Sequence, residues 1–159
     1  MLLRPAKMAL LQFRLATARD LPAVVRLLAD DTLGATRERY ADPLPGEYAR
    51  AFAAMQHQGG NDLLLATLGD EIVGCLQLTI IPGLSRLGAI RGQIEGVRVA
   101  SAQRGQKIGE AMIRHAIERC RAAGCSLVQL TSDVTRVDAK RFYERLGFEA
   151  THVGMKLKL

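Results

Sequence analysis

Between residues 93 and 124 the chain changes period. Gln93 to Val99 alternates residue types as a strand does, and Gly96 in its middle marks an expected bulge. Gln103-Arg104-Gly105-Gln106-Lys107-Ile108-Gly109 then opens a helix with Ile108, Met112, Ile113, Ala116, Ile117 and Cys120 on one side and Gly124 as its stop. Strand, basic glycine-bearing turn and amphipathic helix, in that order, make a phosphate-binding arrangement. Unpaired N–H groups at the helix start point at the anion, and the macrodipole adds roughly half a positive charge there. Glycine lets the backbone approach phosphate oxygens with no side chain between. The Walker pattern is absent because no Gly-Lys-Ser/Thr follows, and the spacing Gly105-x-x-x-Gly109 is not that of G-x-G-x-x-G. The glycine pair by itself fits a tight strand-to-helix turn as well as a phosphate site.

The flanking segments complete one α/β domain. Phe13 to Ala16 reads as a first strand, followed by Thr17 and Asp20 as helix caps before Leu21, Val24, Val25, Leu27 and Leu28. Pro22 falls in the first turn, where a missing N–H is harmless. A second helical stretch lies between Pro45 and Gln58, with Tyr48, Phe52 and Met55 facing inward. Leu63–Leu68 and Ile72–Ile81 flank Gly69-Asp70-Glu71, which has hairpin chemistry. After the central helix come a fifth strand over 127–131, a short helix over 138–146 and a tail, 153–159, whose alternation predicts a final antiparallel strand. The order is βα(α)βββαβαβ, without linker or repeat.

Composition bounds the partners. Of 159 residues 48% are apolar, enough for a core, and no run approaches the roughly 20 apolar residues a membrane span needs. The apolar stretch before Arg14 is too short for a signal peptide. Residues 1–12 therefore read as a loose extension ahead of a domain over 13–159, with Met8 as an alternative start to Met1. Cys75, Cys120 and Cys125 are odd in number and unclustered, which suits buried thiols in a reducing cytoplasm. Up to Gly96 the chain holds 10 basic and 10 acidic residues; from Val97 onward it holds 12 and 6, so the second part carries the whole net charge of +6. A basic half points to an anionic partner. Nucleic acid fits poorly, because the charges are spread along helices and aromatic residues are only 4%.

The segment from Val97 to Gly109 resembles the acetyl-CoA signature of the GNAT superfamily of N-acetyltransferases, Gln/Arg-x-x-Gly-x-Gly/Ala, with Arg104 and Gly109 at its ends and Lys107 where the middle glycine usually stands. Ala139-x-x-Phe142-Tyr143-Glu144-Arg145-Leu146-Gly147-Phe148 resembles the second signature, with Arg136 where an asparagine is frequent. The resemblance runs from about Phe13 to the end. It implies a GNAT-like domain: a mixed, mostly antiparallel central sheet splayed between strands 4 and 5, with helices on both faces.

By the same resemblance, acetyl-CoA is the co-substrate and no metal takes part. Its pantetheine would pair with the backbone at Val97 and Val99, flanking Arg98. Its diphosphate would sit on Gly105, Gln106, Lys107, Ile108 and Gly109, helped by Arg104. Tyr143 matches the tyrosine that protonates the departing thiolate, and it also belongs to the apolar stripe Ala139, Phe142, Tyr143, Leu146, so a core role stays open. A phenol with a pKa of about 10 donates to a thiolate whose acid has a pKa of about 8.5 only through close positioning. Glu95 resembles the strand glutamate that accepts the amine proton; a surface carboxylate paired with Arg86 or Arg91 is the other reading. His57, His115 and His152 lack metal spacing, His115 on the solvent-leaning side of its helix, and Ser132-Asp133 reads as turn chemistry.

The function so implied is acetyl transfer from acetyl-CoA to a primary amine of a small molecule or peptide by direct attack in a ternary complex. The alternative is a non-catalytic acyl-CoA-binding or regulatory module. A homodimer is compatible with either. The acceptor is expected against the first two helices, the 82–91 loop with Arg86 and Arg91, and the chain end.

Overall fold

The computed structural model describes residues 10–159. Its elements are β1 (Leu11–Leu15), α1 (Leu21–Ala29), α2 (Gly34–Arg37), α3 (Gly46–Gln58), β2 (Asn61–Leu68), β3 (Glu71–Pro82), β4 (Ile90–Val99), α4 (Ile108–Ala122), β5 (Leu127–Leu130) and α5 (Val137–Arg145). Leu11 and Gln12, read above as extension, belong to β1; residues 1–9 of that extension lie outside the described residues.

The five strands lie in sequence order in one sheet, antiparallel except for the parallel pair β4–β5. Parallel neighbours need a crossover, and α4 supplies it. Its inner stripe, Met112, Ile113, Ala116 and Cys120, packs on Leu64, Ala66, Leu76 and Ile94. The contact is close: a Cβ at Gly74 would stand 2.5 Å from the Met112 sulfur, and one at Gly92 would collide with the Cys120 sulfur. The opposite face takes α1 and α3, with Leu21, Val24, Leu27 and Phe52 against Leu65 and Cys75. Each such aliphatic side chain contributes roughly 1.5–3 kcal/mol on burial, so both helix layers are fixed by their apolar stripes. The hairpin at Gly69-Asp70 forms as expected, with Leu68 opposite Glu71.

Two expectations fail. The tail forms no strand: Val153, Met155 and Leu157 are 89%, 92% and 87% exposed. Alternation satisfies the strand pattern, but a strand also needs a partner, and the free edge here is the four-residue β5. His115 is not solvated; its ring stacks on Phe13 with centroids 4.5 Å apart, because β1 extends the sheet under that end of α4. Burial holds the His115 pKa below its ordinary value.

The start of α1 rests on Asp20. Its carboxylate accepts two hydrogen bonds from the Arg14 guanidinium, both 2.8 Å, and one from the Thr17 N–H at 2.7 Å. The Arg14 hydrogen bonds, then Thr17, hold its pKa well below the carboxylate range. A carboxylate depressed in the folded state adds stability that is complete above the unfolded pKa near 4 and is lost as pH falls towards the folded value. Asp20→Asn is expected to destabilise the protein by about 1–2 kcal/mol at pH 7 and to flatten the acid limb of a urea-denaturation series below pH 4.

Candidate active site

The opening in the sheet begins with one extra residue. Gln77 pairs with Glu95 and Cys75 with Arg98, so Leu76 alone faces Gly96 and Val97. Gly96 has φ +59°, the left-handed conformation that costs a side-chain-bearing residue about 1–2 kcal/mol. The extra residue shifts the alternation by one. Ahead of it Ile94 faces α4; beyond it Val97 and Val99 face α4, and Arg98 faces α1. Pairing with β5 ends at Ile94–Leu130, so Glu95 to Val99 run free of β5.

Into this gap opens a cleft of about 990 Å³, lined by Val97 and Val99, by Arg104, Gly105, Lys107, Ile108 and Gly109 at the start of α4, and by Arg136, Phe142, Tyr143 and Arg145 of α5 and its lead-in. Gly109 admits α5: a Cβ there would already touch Phe142 at 3.5 Å and Val99 at 3.6 Å. Lys107, which stands in the place of a glycine, takes the glycine conformation, φ 60° and ψ 14°, as the residue before Ile108. The first-turn N–H groups of α4 have no intrahelical acceptor and face a cleft lined by Arg104, Lys107 and Arg145.

Tyr143 is half-buried, its ring edge-on to Phe142 at 5.1 Å and Phe148 at 5.9 Å. It both packs and lines the cleft, so the core reading and the cleft reading hold together. Burial raises its pKa above 10, and the nearby charges of Arg136 and Arg98 work against that rise.

Glu95 is exposed on the α1 side of β4, beside Gln77 and outside the cleft lining. Among the described residues it makes no ion pair, so the expected pairing with Arg86 or Arg91 does not form. Those two arginines lie in the β3–β4 connection and at the start of β4, away from the opening. Gln106 is exposed beside the cleft lining.

Arg98 and Arg104 do something the sequence did not reveal. Arg98 donates to the Val97 carbonyl at 2.9 Å and holds the Asp31 carboxylate at 3.2 Å. Arg104 donates to the carbonyls of Val99 (3.4 Å) and Asp30 (3.2 Å), with the Asp30 carboxylate at 3.8 Å. Both side chains tie β4 to the C-terminal end of α1. Asp30-Asp31 at that end is the signal that could have exposed the clamp. The macrodipole is negative there, so two carboxylates need cations from elsewhere. Asp31 also accepts the Gly34 N–H at 2.5 Å and starts α2. Asp133 accepts from the Thr135 N–H and hydroxyl at 3.0 and 2.6 Å, the turn chemistry expected, and reaches Arg37 at 3.9 Å.

Comparison with known proteins matches the acetyltransferase (GNAT) family over residues 22–148, and the chain belongs to that family. It is 38% identical over 88 residues to an aminoalkylphosphonate N-acetyltransferase of Salmonella typhimurium, an alignment that covers 55% of this chain and 56% of that protein, so the chain spans about half the length of that curated relative. Two crystal structures share the fold closely. One is a Bacillus halodurans C-125 protein called a transcriptional regulator, 50% identical with a TM-score of 0.91 over 94% of this chain and 99% of that one. The other is a Trypanosoma brucei acetyltransferase, 31% identical with a TM-score of 0.76 over 94% and 99%.

The left-handed Lys107 yields a stability test. Lys107→Gly relieves the side-chain strain but loosens the unfolded chain, a net gain of about 0.5–1 kcal/mol. Thermal denaturation should show the variant melting a few degrees higher; a lower Tm would mean that Lys107 is held by contacts stronger than its strain.

Proposed function

We propose that the protein is an acetyl-CoA-dependent N-acetyltransferase that moves the acetyl group to a primary amine by direct attack in a ternary complex. The observation that carries this reading is the bulge-opened gap beside a half-buried tyrosine, with an anion-receptive helix start on the same cleft.

The residues suit the co-substrate along its length. The helix start with Lys107 and Arg145 suits a diphosphate. Val97, Val99 and Phe142 give the neutral pantetheine an apolar wall, and the unpaired edge of β4 offers its amides backbone partners. Acetyl-CoA supplies an activated thioester. The chain's own residues then manage two protons. The amine nitrogen bonds to the thioester carbonyl carbon, and the carbon–sulfur bond breaks. Glu95, directly or through water, takes the proton the nitrogen sheds. Tyr143 donates its phenol proton to the departing sulfur and recovers one from solvent, so amide and free thiol leave with charges balanced. The Salmonella relative makes an aminoalkylphosphonate the first acceptor to assay.

A second reading, a non-catalytic acyl-CoA-binding regulator, has one observation in its favour, the name of the Bacillus halodurans relative. Thiol release separates the two: the enzyme frees CoA in proportion to added amine, the regulator does not.

Tyr143→Phe is expected to lower kcat for amine-dependent thiol release by about a hundredfold while leaving the CoA dissociation constant within a few-fold. Because burial raises the phenol pKa above its ordinary value, Tyr143 stays protonated through the neutral range. The wild-type rate should therefore climb through neutral pH as the amine loses its proton, with no decline between pH 7 and 8.5. A decline in that range, or a full-speed Tyr143→Phe enzyme, contradicts the acid role.

A further inference from the structure

Just ahead of the gap the two faces of the sheet differ in kind. On the α4 side Leu78, Ile94 and Leu130 belong to the core or pack against it. On the α1 side the same part of the sheet carries Gln77 opposite Glu95, Thr79 opposite Gln93, and Gln93 opposite Gln129. Helices reach this face over β2, through α3, and over β3 and β4, through α1. Gln77, Gln93 and Gln129 nevertheless stay partly exposed, and Glu95 is exposed.

The carboxamides are held in place by one another and by a buried neighbour. Asn61 Oδ1 accepts from Gln77 Nε2 at 2.8 Å and from the Thr79 hydroxyl at 3.2 Å, while its Nδ2 donates to Gln58 Oε1 at 2.9 Å. Gln129 Nε2 donates to Gln93 Oε1 at 2.7 Å. These bonds decide which groups are left over. Among the described residues the Gln77 and Gln129 carbonyl oxygens, the Gln93 N–H groups and the Glu95 carboxylate have no side-chain partner. Across β3, β4 and β5 the face therefore offers an acceptor, a donor and an acceptor, over roughly 10 Å or two strand spacings. The carboxylate stands at the end nearest the gap, because pairing with β5 stops one residue before it.

We propose that Gln77, Gln93 and Gln129 form the specificity surface for the acceptor, which selects primary amines carrying several hydroxyl groups, with the amine at Glu95. This rests on the acetyltransferase reading and adds the class of amine and the residues that choose it. A hydroxyl donates and accepts at once, so a run of them matches donors and acceptors set side by side. An alkyl chain would cover the same carboxamides and leave them unpaired, which costs the full desolvation of each. An oxyanion only accepts, and here it would meet two carbonyl oxygens and a carboxylate. Cations on this face do not offset that. Arg98 is turned to Asp31, and Arg91 lies four positions before Glu95, roughly 13 Å along the strand.

The test is calorimetric and uses the full chain saturated with free CoA, which cannot react. 1-Amino-1-deoxyglucitol and hexylamine, six-carbon primary amines that differ in their hydroxyls, are titrated alongside 2-aminoethylphosphonate. The proteins are wild type, Gln93→Met and Gln77→Met, since Met keeps the length of Gln and removes only the amide. Wild type should prefer the polyol over hexylamine by about tenfold or more, as two or three hydrogen bonds require, and should bind the phosphonate more weakly than the polyol. Each variant should lose several-fold of the polyol preference while its affinity for CoA changes less than threefold. Equal affinity for polyol and alkylamine in wild type overturns the proposal, as does tighter binding of the phosphonate. So do two variants that keep wild-type selectivity, or that lose CoA affinity instead, because the carboxamides would then serve the fold or the cofactor. The polyol preference as expected, joined to no thiol release from acetyl-CoA with any amine, upholds the surface and overturns the acetyltransferase reading. Thiol release that ignores the hydroxyls does the reverse.

Discussion

Two residues facing one, Gly96 and Val97 against Leu76, set the geometry of everything around the cleft. A continuous β4 would hold its register with β3, send Val97 toward α1 and leave no reason for the strand to part from β5. The extra residue reverses the alternation instead, so that an apolar edge, Val97 and Val99, faces the start of α4 and the free backbone of β4 has no β5 partner. A hydrogen-bonding strand edge without a partner is a costly object in a folded protein unless something else pairs with it. The same few residues therefore explain why the sheet opens and what kind of molecule, an extended chain with amides, suits the gap.

The electrostatics follow from that geometry. Once the register shifts, Arg98 emerges on the α1 side, where the end of α1 offers Asp30 and Asp31. The carboxylates cancel Arg104 and part of Arg98 and fasten the first helix to the splayed strand. The cleft and the end of α1 are thereby mechanically joined.

Much of this was legible in the chain. The central helix, its glycine stop, the hairpin at Gly69-Asp70 and the bulge at Gly96 are all local features, each specified by residues within a few positions of one another. The left-handed Lys107 was visible only as a departure from a glycine; the backbone shows that it takes the conformation glycine adopts most freely. What could not be read is non-local. Arg98 and Arg104 meet partners about 70 positions away, so sequence could place them near the cofactor but not reveal that their side chains turn to α1. His115 looked solvated until β1 brought Phe13 beneath it. The tail had the alternation of a strand but depends on an edge only four residues long.

The crystal structure of the protein with CoA measures the central claim directly. The pantetheine amides should bond to the backbone of Val97 and Val99, with the sulfur beside the Tyr143 hydroxyl and the diphosphate on residues 105–109. A CoA molecule seated elsewhere, or a β4 re-paired with β5 beyond Ile94, would contradict the account.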